Sequence, residues 1–234
     1  MALAFSAGIY DAISFLSFGK VFTAAQTGNF ALLGLGVAGA RPPTGPLPVT
    51  VVISLAGFAA GGGLAMPILK SFSGDEEIED DSVFQAWPRR VSIVLGVALV
   101  AQVGFLAVWM TNSLSIDIVR VLVALAAFAM GLQINAVRFL HVPGVSTTAV
   151  TATFIALVSA IADWSLDAHA ARRLAGVLVS VTVGAVLGDW MLRHAHSYAP
   201  VLPAFVTASV IAIASVALRQ EPGRPAGSRG RSGA

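Results

Sequence analysis

The sequence predicts an all-α polytopic membrane protein, a transmembrane bundle of about eight helices (seven to eight). Of the 234 residues, 56% are hydrophobic and only 11% are charged, whereas soluble domains carry about 25% charged residues. Apolar runs of about 18 to 22 residues fill nearly the whole chain, and a helix of that length crosses about 30 Å of hydrocarbon. Because these runs do not alternate between apolar and polar residues, they exclude a transmembrane β-barrel.

The apolar segments are separated by polar and turn-forming stretches. Breaks fall at "RPPTGPLP" (41–48), at "HVPG" (141–144) and in the polar stretch 71–90. The tryptophans lie at or beside segment ends, where an amphipathic ring prefers the headgroup region. We therefore expect one transmembrane domain over residues 1–218, with helices at about 3–19, 21–39, 49–69, 91–111, 116–137, 145–162, 174–192 and 199–218.

Two polar stretches lie outside the predicted helices. The loop 71–90 carries six acidic residues between Asp75 and Asp81, and like-charge blocks are typical of solvated linkers. The alternative is a regulatory or cation-attracting loop. The tail 219–234 is rich in Gly, Pro, Ser and Arg, a composition that predicts disorder.

A shift of 124 positions aligns the segment 11–33 with the segment 135–157 without a gap, and nine of the 23 positions are identical. We expect a duplication with halves at about 1–111 and 114–218. With four crossing helices in each half, both copies enter the membrane from the same side, so the sequence predicts a parallel repeat. In this register Met1 aligns with Leu125, whereas the matching helix is expected from about Asp117, so the first helix is expected to be short or its start late.

Both copies interrupt a helix and start the next one with hydroxyl residues. The interruptions are "SFGK" after Leu16 and "HVPG" after Leu140. Hydroxyl groups near a helix start can accept from its first free N–H groups, and irregular backbone at membrane depth must be buried in protein or line a wet cavity. Because helix N-termini carry partial positive charge, such a pair favours an anionic or strongly polar ligand.

Asp11 lies midway along the first apolar segment, where a carboxylate costs a few kcal/mol to insert. It is either a proton relay or ligand contact, or a structural group paired with the helix of Arg138 or with Lys20. The threonines, spaced i, i+4, line the same polar site or form bonds between helices. The candidate substrate-binding residues are Asp11, Thr23, Gln26, Thr27, Asn29, Gln133, Asn135, Arg138, Thr147, Thr148 and Thr151.

No enzyme, metal or cofactor site is expected. The chain has no cysteine, and its histidines in "DWSLDAH" and "HAH" lack the helical i, i+4 pair with a third ligand of a catalytic zinc site. No nucleophile elbow, phosphate-binding glycine loop or dinucleotide fingerprint is present. The basic residues lie at segment ends and in the tail, which fits membrane topology better than nucleic-acid binding.

The stretch "GIYDAISFLSFGKVFTAAQTGNFALLG" resembles the signature of the YoaK-type family of bacterial integral membrane proteins, whose domain is catalogued as of unknown function. The matching positions are Gly8, Asp11, Ala12, Phe15, Leu16, Gly19, Phe22, Thr27, Gly28 and Asn29, and in the second half Gly131, Leu132, Gln133, Arg138, Thr147 and Thr148. Thr151-Ala152 stands where the family tends toward Thr-Gly. The resemblance implies a fold and a membrane location but no activity.

The broken helices with polar starts favour a small-molecule transporter or permease in the bacterial inner membrane. Its solute would be polar, with an anionic solute and proton coupling through Asp11 as the specific hypotheses. The alternative is a non-transporting scaffold or lipid-binding protein. Membrane lipids and a small polar solute are the expected partners, a homo-oligomer is left open, and the arginine distribution favours both termini in the cytoplasm.

Overall fold

The computed structural model describes residues 1–39, 48–71, 87–111, 115–140, 150–162 and 168–217, and these residues contain helices and no strand. The helices are α1 (Ala2–Ser17), α2 (Gln26–Val37), α3 (Pro48–Lys70), α4 (Arg89–Trp109), α5 (Ile116–Phe139), α6 (Val150–Ala162), α7 (Ala168–His194), a 3₁₀ helix (His196–Tyr198) and α8 (Val201–Ala217). The predicted all-α helical membrane bundle is confirmed.

Helix length separates two classes of helix. Among the described residues, five apolar helices are long enough to cross a membrane: Pro48–Lys70, Arg89–Trp109, Ile116–Phe139, Ala171–His194 and His196–Val216. Helix α1 has 16 residues and spans about 24 Å. Helices α2 and α6 have 12 and 13 residues, or about 18 to 20 Å, which is less than the roughly 30 Å hydrocarbon core. Eight helices therefore do not make eight crossings.

Helices α3 and α5 run in the same direction and meet through glycine. A Cβ atom at Gly57 would meet Ala124, and one at Gly61 would overlap the carbonyl oxygen of Phe128. The residue numbers of both helices thus rise together along the contact. Glycine at such positions lets two helix backbones approach closely, which is how membrane helices gain packing energy in lipid.

Helices α1 and α7 form a second close pair, also parallel. A Cβ atom at Gly8 would overlap the carbonyl oxygen of Val181, and one at Gly188 would lie against Ala12. With α1–α4 in the first half and α5–α8 in the second, α1 packs against α7 and α5 packs against α3. The first helix of each half thus contacts the third helix of the other half.

Helix α4 runs antiparallel to α5, because Gln102 lies beside Gln133 while Gly104 lies beside Leu125. It runs parallel to α1, because the ring of Tyr10 meets Phe105 and the ring of Phe18 meets Trp109. Helices α1 and α5 therefore run in opposite directions.

Helix α8 is antiparallel to α4. The Trp109 indole N–H, at the end of α4, donates to the carbonyl oxygen of His196 at 3.1 Å. At the other end of the pair, Ile93 and Ile211 line one cavity. Helices α1, α4 and α7 thus end at one face of the bundle, called face A here, and helices α3, α5 and α8 end at the opposite face B.

These directions correct the expected parallel arrangement of the two halves. In the first half α1 runs to face A, α3 runs to face B and α4 runs to face A. In the second half α5 runs to face B, α7 runs to face A and α8 runs to face B. The expectation was wrong because it counted α2 and α6 as full crossings. Helix α1 is shorter than the five long helices, but it runs from Gln133 near face B to Trp109 at face A. Each half therefore has three helices that run from one face to the other, and an odd number inverts the next half. The duplication itself stays a prediction.

The acidic stretch from Asp75 to Asp81 and the tail 219–234 lie outside the described residues, so the predictions made for them stay predictions.

Candidate functional site

The carboxylate of Asp11, in the middle of α1, is bound by the chain segment that follows that helix. Its Oδ1 accepts from the backbone N–H of Thr23 at 2.8 Å and of Ala24 at 2.7 Å, and the hydroxyl of Thr23 donates to it at 3.3 Å. Its Oδ2 accepts from the backbone N–H of Ala25 at 3.1 Å. Four donors on three consecutive residues thus surround one carboxylate.

This arrangement reverses the role expected for the hydroxyl residues at the helix start. Thr23 lies before α2 and donates its hydroxyl hydrogen to Asp11, and the N–H groups that donate to the carboxylate belong to Thr23, Ala24 and Ala25, the three residues that precede α2. A charged acceptor binds such donors about twice as strongly as a neutral hydroxyl does. The partners of Asp11 are therefore these N–H groups, and neither Lys20 nor Arg138 is bonded to it.

The position of Asp11 sets the depth at which α2 begins. Asp11 precedes Ser17, the last residue of α1, by six residues, or about 9 Å along the helix axis. The chain therefore turns at face A and returns about 9 Å toward the middle of the bundle before α2 starts. Gly19 and Lys20 make this turn with φ angles of 81° and 65°, a left-handed conformation that is common after the last residue of a helix.

Asn29 and Ser54 hold the same segment from the α3 side. Asn29 Oδ1 accepts from the N–H of Phe22 at 3.0 Å, and its Nδ2 donates to the Phe22 carbonyl oxygen at 2.6 Å. Nδ2 also lies 2.8 Å from Gln26 Oε1 and 3.1 Å from Ser54 Oγ, and Ser54 donates to the Phe22 carbonyl at 2.6 Å. Gln26 Nε2 donates to the carbonyl oxygen of Thr23 at 2.8 Å.

Helix α2 runs from this polar group back toward face A. Near its start Asn29 meets Ser54, and near its end Gly36 lies against Pro48, the first residue of α3. Since α3 leaves face A, α2 approaches face A. Residues 18–37 therefore enter the bundle and leave it at the same face, and they are called the re-entrant segment below.

The predicted residues of the second half lie in a different place. Gln133 Nε2 donates to the carbonyl oxygen of Leu3 at 2.8 Å, and its Oε1 lies 3.5 Å from Gln102 Nε2. Asn135 Nδ2 donates at 2.9 Å to the carbonyl oxygen of Gly131 in its own helix. Leu3 precedes Asp11 by eight residues on α1, so the Gln133 bonds lie about 12 Å from Asp11 along that helix.

The remaining predicted residues are not drawn into either polar group. Thr27, Arg138 and Thr151 are exposed on the bundle surface. Thr147 and Thr148 lie outside the described residues. The structure therefore brings together Asp11, Thr23, Gln26 and Asn29, adds Ser54 to them, and places Gln133 and Asn135 elsewhere.

Five buried side-chain atoms have no hydrogen-bond partner among the described residues: the Nε atoms of Arg120 and Arg173 near the helix ends, and Tyr10 Oη, Ser14 Oγ and Gln102 Oε1 in the interior. The last three side chains are fully buried. Tyr10 and Ser14 are one helical turn apart on α1, and Gln102 lies one turn before Phe105, which contacts the ring of Tyr10. Sequence reasoning missed all three, although the i, i+4 spacing of Tyr10 and Ser14 within an apolar segment was a usable signal.

The described residues contain no group of three His, Asp or Glu side chains close enough to hold a metal ion. Two cavities lined by described residues lie at face B, near the start of α4.

The interior polar groups described above are backbone groups, hydroxyls, side-chain amides and the carboxylate of Asp11.

A family model described as "Protein of unknown function (DUF1275)" matches residues 1–214. The chain is 32% identical over 159 residues to the UPF0700 transmembrane protein YoaK of Bacillus subtilis (strain 168). This alignment covers 67% of the chain and 63% of that relative, so the chain spans somewhat less than two thirds of the relative's length. No solved structure matches.

Proposed function

The chain belongs to the DUF1275 family and is a multi-pass membrane protein, and from this premise we propose that it is a permease for a small polar solute. The observation that carries the proposal is the set of unpartnered polar atoms on Tyr10, Ser14 and Gln102 inside the bundle. A polar group buried without a partner costs about 1 to 3 kcal/mol in protein mutational data and more in hydrocarbon. Such groups are retained when water or a solute visits them.

The inverted order of the two halves supports the same proposal. Many transporters are built from two inverted halves with interrupted helices that begin inside the membrane. Here α2 begins about 9 Å below face A and returns to it. Helix α6 follows α5, which ends at face B, and precedes α7, which begins at face B. The short helices thus belong to opposite faces.

The bonding of Asp11 favours an uncharged solute over an anion. The positive end of α2 would suit an anion, but the carboxylate of Asp11 already lies beside that end, bound to the N–H groups of the three residues that precede the helix. The unpartnered groups of Tyr10, Ser14 and Gln102 are hydroxyl and amide groups, which carry no charge. Proton coupling through Asp11 is not part of the proposal, because both carboxylate oxygens of Asp11 already accept hydrogen bonds from Thr23, Ala24 and Ala25.

The distribution of basic residues favours face B in the cytoplasm. Cytoplasmic ends of membrane helices carry an excess of Lys and Arg. Among the described residues, face B carries Lys70, Arg89, Arg90, Arg138, Arg172 and Arg173, and face A carries Lys20, Arg120 and Arg193. Because α1 begins and α8 ends at face B, we propose a bacterial inner-membrane protein with both termini in the cytoplasm.

The test is solute flux into liposomes that contain the purified full chain. Vesicles shrink in a hyperosmotic solution of glycerol or urea and then swell again as the solute enters, and light scattering follows the swelling. We expect faster swelling than in protein-free liposomes. Tyr10→Phe and Ser14→Ala should each slow it several-fold while leaving the melting temperature unchanged or higher, because neither lost hydroxyl has a partner among the described residues.

A matched control removes a hydroxyl that lies outside the bundle interior. Thr182 is exposed on α7 and donates to the carbonyl oxygen of Leu178 in its own helix, so Thr182→Val should leave the swelling rate unchanged. Swelling no faster than in protein-free liposomes for every uncharged polar solute would contradict the permease and favour the non-transporting alternative. Swelling that Tyr10→Phe and Ser14→Ala leave unaltered would move the pathway away from these residues.

A further inference from the structure

A cavity of about 400 Å³ opens at face B between the start of α4 and the end of α8. Its outer part is lined by Trp87, Arg89 and Ser215, and its inner part by Ile93 and Ile211. A neighbouring cavity, also of about 400 Å³, shares Arg89 and Ile93 with it. Arg89 thus stands between two openings that are polar toward the face and apolar toward the membrane interior.

The two arginines at the start of α4 have different surroundings. Arg90 donates to the carbonyl oxygen of Leu69 at 2.9 Å, and its guanidinium lies 4.9 Å from the centre of the Phe139 ring. It therefore fastens α4 to α3 and α5. Arg89 is exposed and makes no hydrogen bond or ion pair with any described residue. Its five N–H donors remain available to an anionic group.

Trp87 fixes the level of this site in the membrane. Its indole N–H donates to Ser92 Oγ at 2.8 Å, which folds the residues before α4 onto the first turn of the helix. Tryptophan is enriched at the boundary between headgroups and acyl chains. The guanidinium of Arg89 is therefore at headgroup level, and Ile93 and Ile211 extend from it toward the acyl-chain region.

We propose that this cavity binds the headgroup of an anionic phospholipid, with the phosphate on Arg89 and one acyl chain along Ile93 and Ile211. A basic pocket between membrane helices on the cytoplasmic side is suited to such a headgroup. A free phosphate ion would use Arg89 but gain nothing from the apolar inner wall. The ligand is amphipathic because the cavity has a polar outer part and an apolar inner part. This inference rests on the cytoplasmic placement of face B proposed above, but not on the permease.

The test is lipid retention by the full chain, measured by native mass spectrometry after purification in detergent with equal amounts of phosphatidylglycerol and phosphatidylethanolamine. We expect preferential retention of phosphatidylglycerol. Arg89→Gln should lower its retention about fivefold, since one arginine at an anionic surface contributes about 1 kcal/mol. Arg172→Gln is the matched control, because Arg172 is also exposed at face B but lies on α7, away from the cavity.

A second pair of variants separates lipid binding from a change of fold. Ile93→Trp should fill the inner part of the cavity and lower the retention of both headgroups, whereas Val100→Trp, two turns further along α4 and 73% exposed, should not. Equal melting temperatures of these two variants make the comparison valid for the folded protein.

Three results would overturn the proposal. The first is equal retention of phosphatidylglycerol in Arg89→Gln and Arg172→Gln. The second is displacement of the bound lipid by millimolar inorganic phosphate alone, which would assign the site to free phosphate. The third is a preference for phosphatidylglycerol that arises only after deletion of residues 75–81, which would mean that the acidic stretch of the chain itself occupies the cavity.

Discussion

The backbone N–H of Ala24 donates to Asp11 Oδ1 at 2.7 Å, the shortest of the four hydrogen bonds that join the middle of α1 to the start of the re-entrant segment. This bond links two residues that are thirteen positions apart. Together the four bonds hold the residues just before α2 below face A, and they supply an acceptor for N–H groups at membrane depth.

Replacement of Asp11 should therefore destabilise the fold. Asp11→Asn exchanges one acceptor oxygen for an NH₂ group that faces N–H donors, and hydrogen bonds to a charged group contribute about 1.5 to 3 kcal/mol each. We expect a loss of about 2 to 4 kcal/mol in the free energy of unfolding, measured by thermal denaturation in detergent. Asp189→Asn is the control, because Asp189 forms an exposed pair with Arg193, a type worth about 0 to 1 kcal/mol.

If Asp11→Asn kept the melting temperature of the unchanged protein but abolished solute uptake, the proton-relay hypothesis for Asp11 would be restored. The two measurements on one purified variant distinguish a structural carboxylate from a coupling one.

Asn29 and Thr27 offer a second comparison within α2. Asn29→Ala should cost about 1 to 3 kcal/mol, because it removes a buried amide and leaves the half-buried N–H of Phe22 without its acceptor, while the Phe22 carbonyl keeps the bond from Ser54. Thr27→Val should change stability by less than about 0.5 kcal/mol, because Thr27 is exposed. Equal melting temperatures of the two variants would mean that the Asn29 amide does not hold the re-entrant segment.

Sequence reasoning located the helices well, because apolar length is a direct consequence of the membrane. The segments predicted at 49–69 and 116–137 appear as α3 (Pro48–Lys70) and α5 (Ile116–Phe139). It also placed the helix break after Leu16, one residue before α1 ends at Ser17. What it could not give is direction, since a 19-residue apolar stretch at 21–39 looks the same whether it crosses or returns. The bonds from Asp11 and Ser54 decide that question.

The candidate site was predicted only in part, for a similar reason. Asp11, Thr23, Gln26 and Asn29 are near in sequence, and they meet. Ser54 on α3 bonds to Asn29 on α2, and Gln102 on α4 bonds to Gln133 on α5. Because each is a single polar residue in an apolar run, the sequence does not indicate which residue it bonds to. The expected junction of Asp11 with Asn135 assumed that the copies meet at matching depth, whereas the structure separates their polar groups along α1.

The glycine contacts bear on the predicted duplication. Gly61 approaches Phe128, and the residues 123 positions away from these two, Gly184 and Phe5, also approach each other. In the same way Gly131 approaches Phe58, and Gly8 and Val181, each 123 positions away, approach each other. The sequence identities gave a shift of 124, so the packing follows the alignment within one residue. Two such pairs agree with a duplication whose copies are inverted, and the duplication itself stays a prediction.

The run Gly61, Gly62 and Gly63 allows a test of the close helix pair within three residues. A Cβ atom at Gly61 would overlap the carbonyl oxygen of Phe128, whereas one at Gly63 would meet nothing within 4 Å. Gly61→Ala should lower the free energy of unfolding by about 1 to 3 kcal/mol, the cost of overpacking. Gly63→Ala should be neutral or stabilise by up to about 1 kcal/mol. Equal effects on thermal denaturation would refute the close α3–α5 contact.

Because the chain has no cysteine, single cysteines can test the re-entrant segment without removing any background. Lys20 follows α1 and Ala38 follows α2 at face A, while Lys70 ends α3 and Arg172 lies near the start of α7 at face B; all four are exposed. If residues 18–37 enter and leave at one face, Lys20→Cys and Ala38→Cys should react alike with a membrane-impermeant maleimide added to intact cells.

With face B in the cytoplasm, Lys70→Cys and Arg172→Cys should react with the same maleimide only after the membrane is permeabilised. Reaction of all four variants after permeabilisation is the control for folding and expression. An α2 that crossed the membrane would place Ala38 at face B, since α2 would then start near face A and end opposite it. Protection of Ala38→Cys together with labelling of Lys20→Cys would thus contradict the re-entrant path. It would restore an additional crossing in the first half, and with it the parallel arrangement of the two halves.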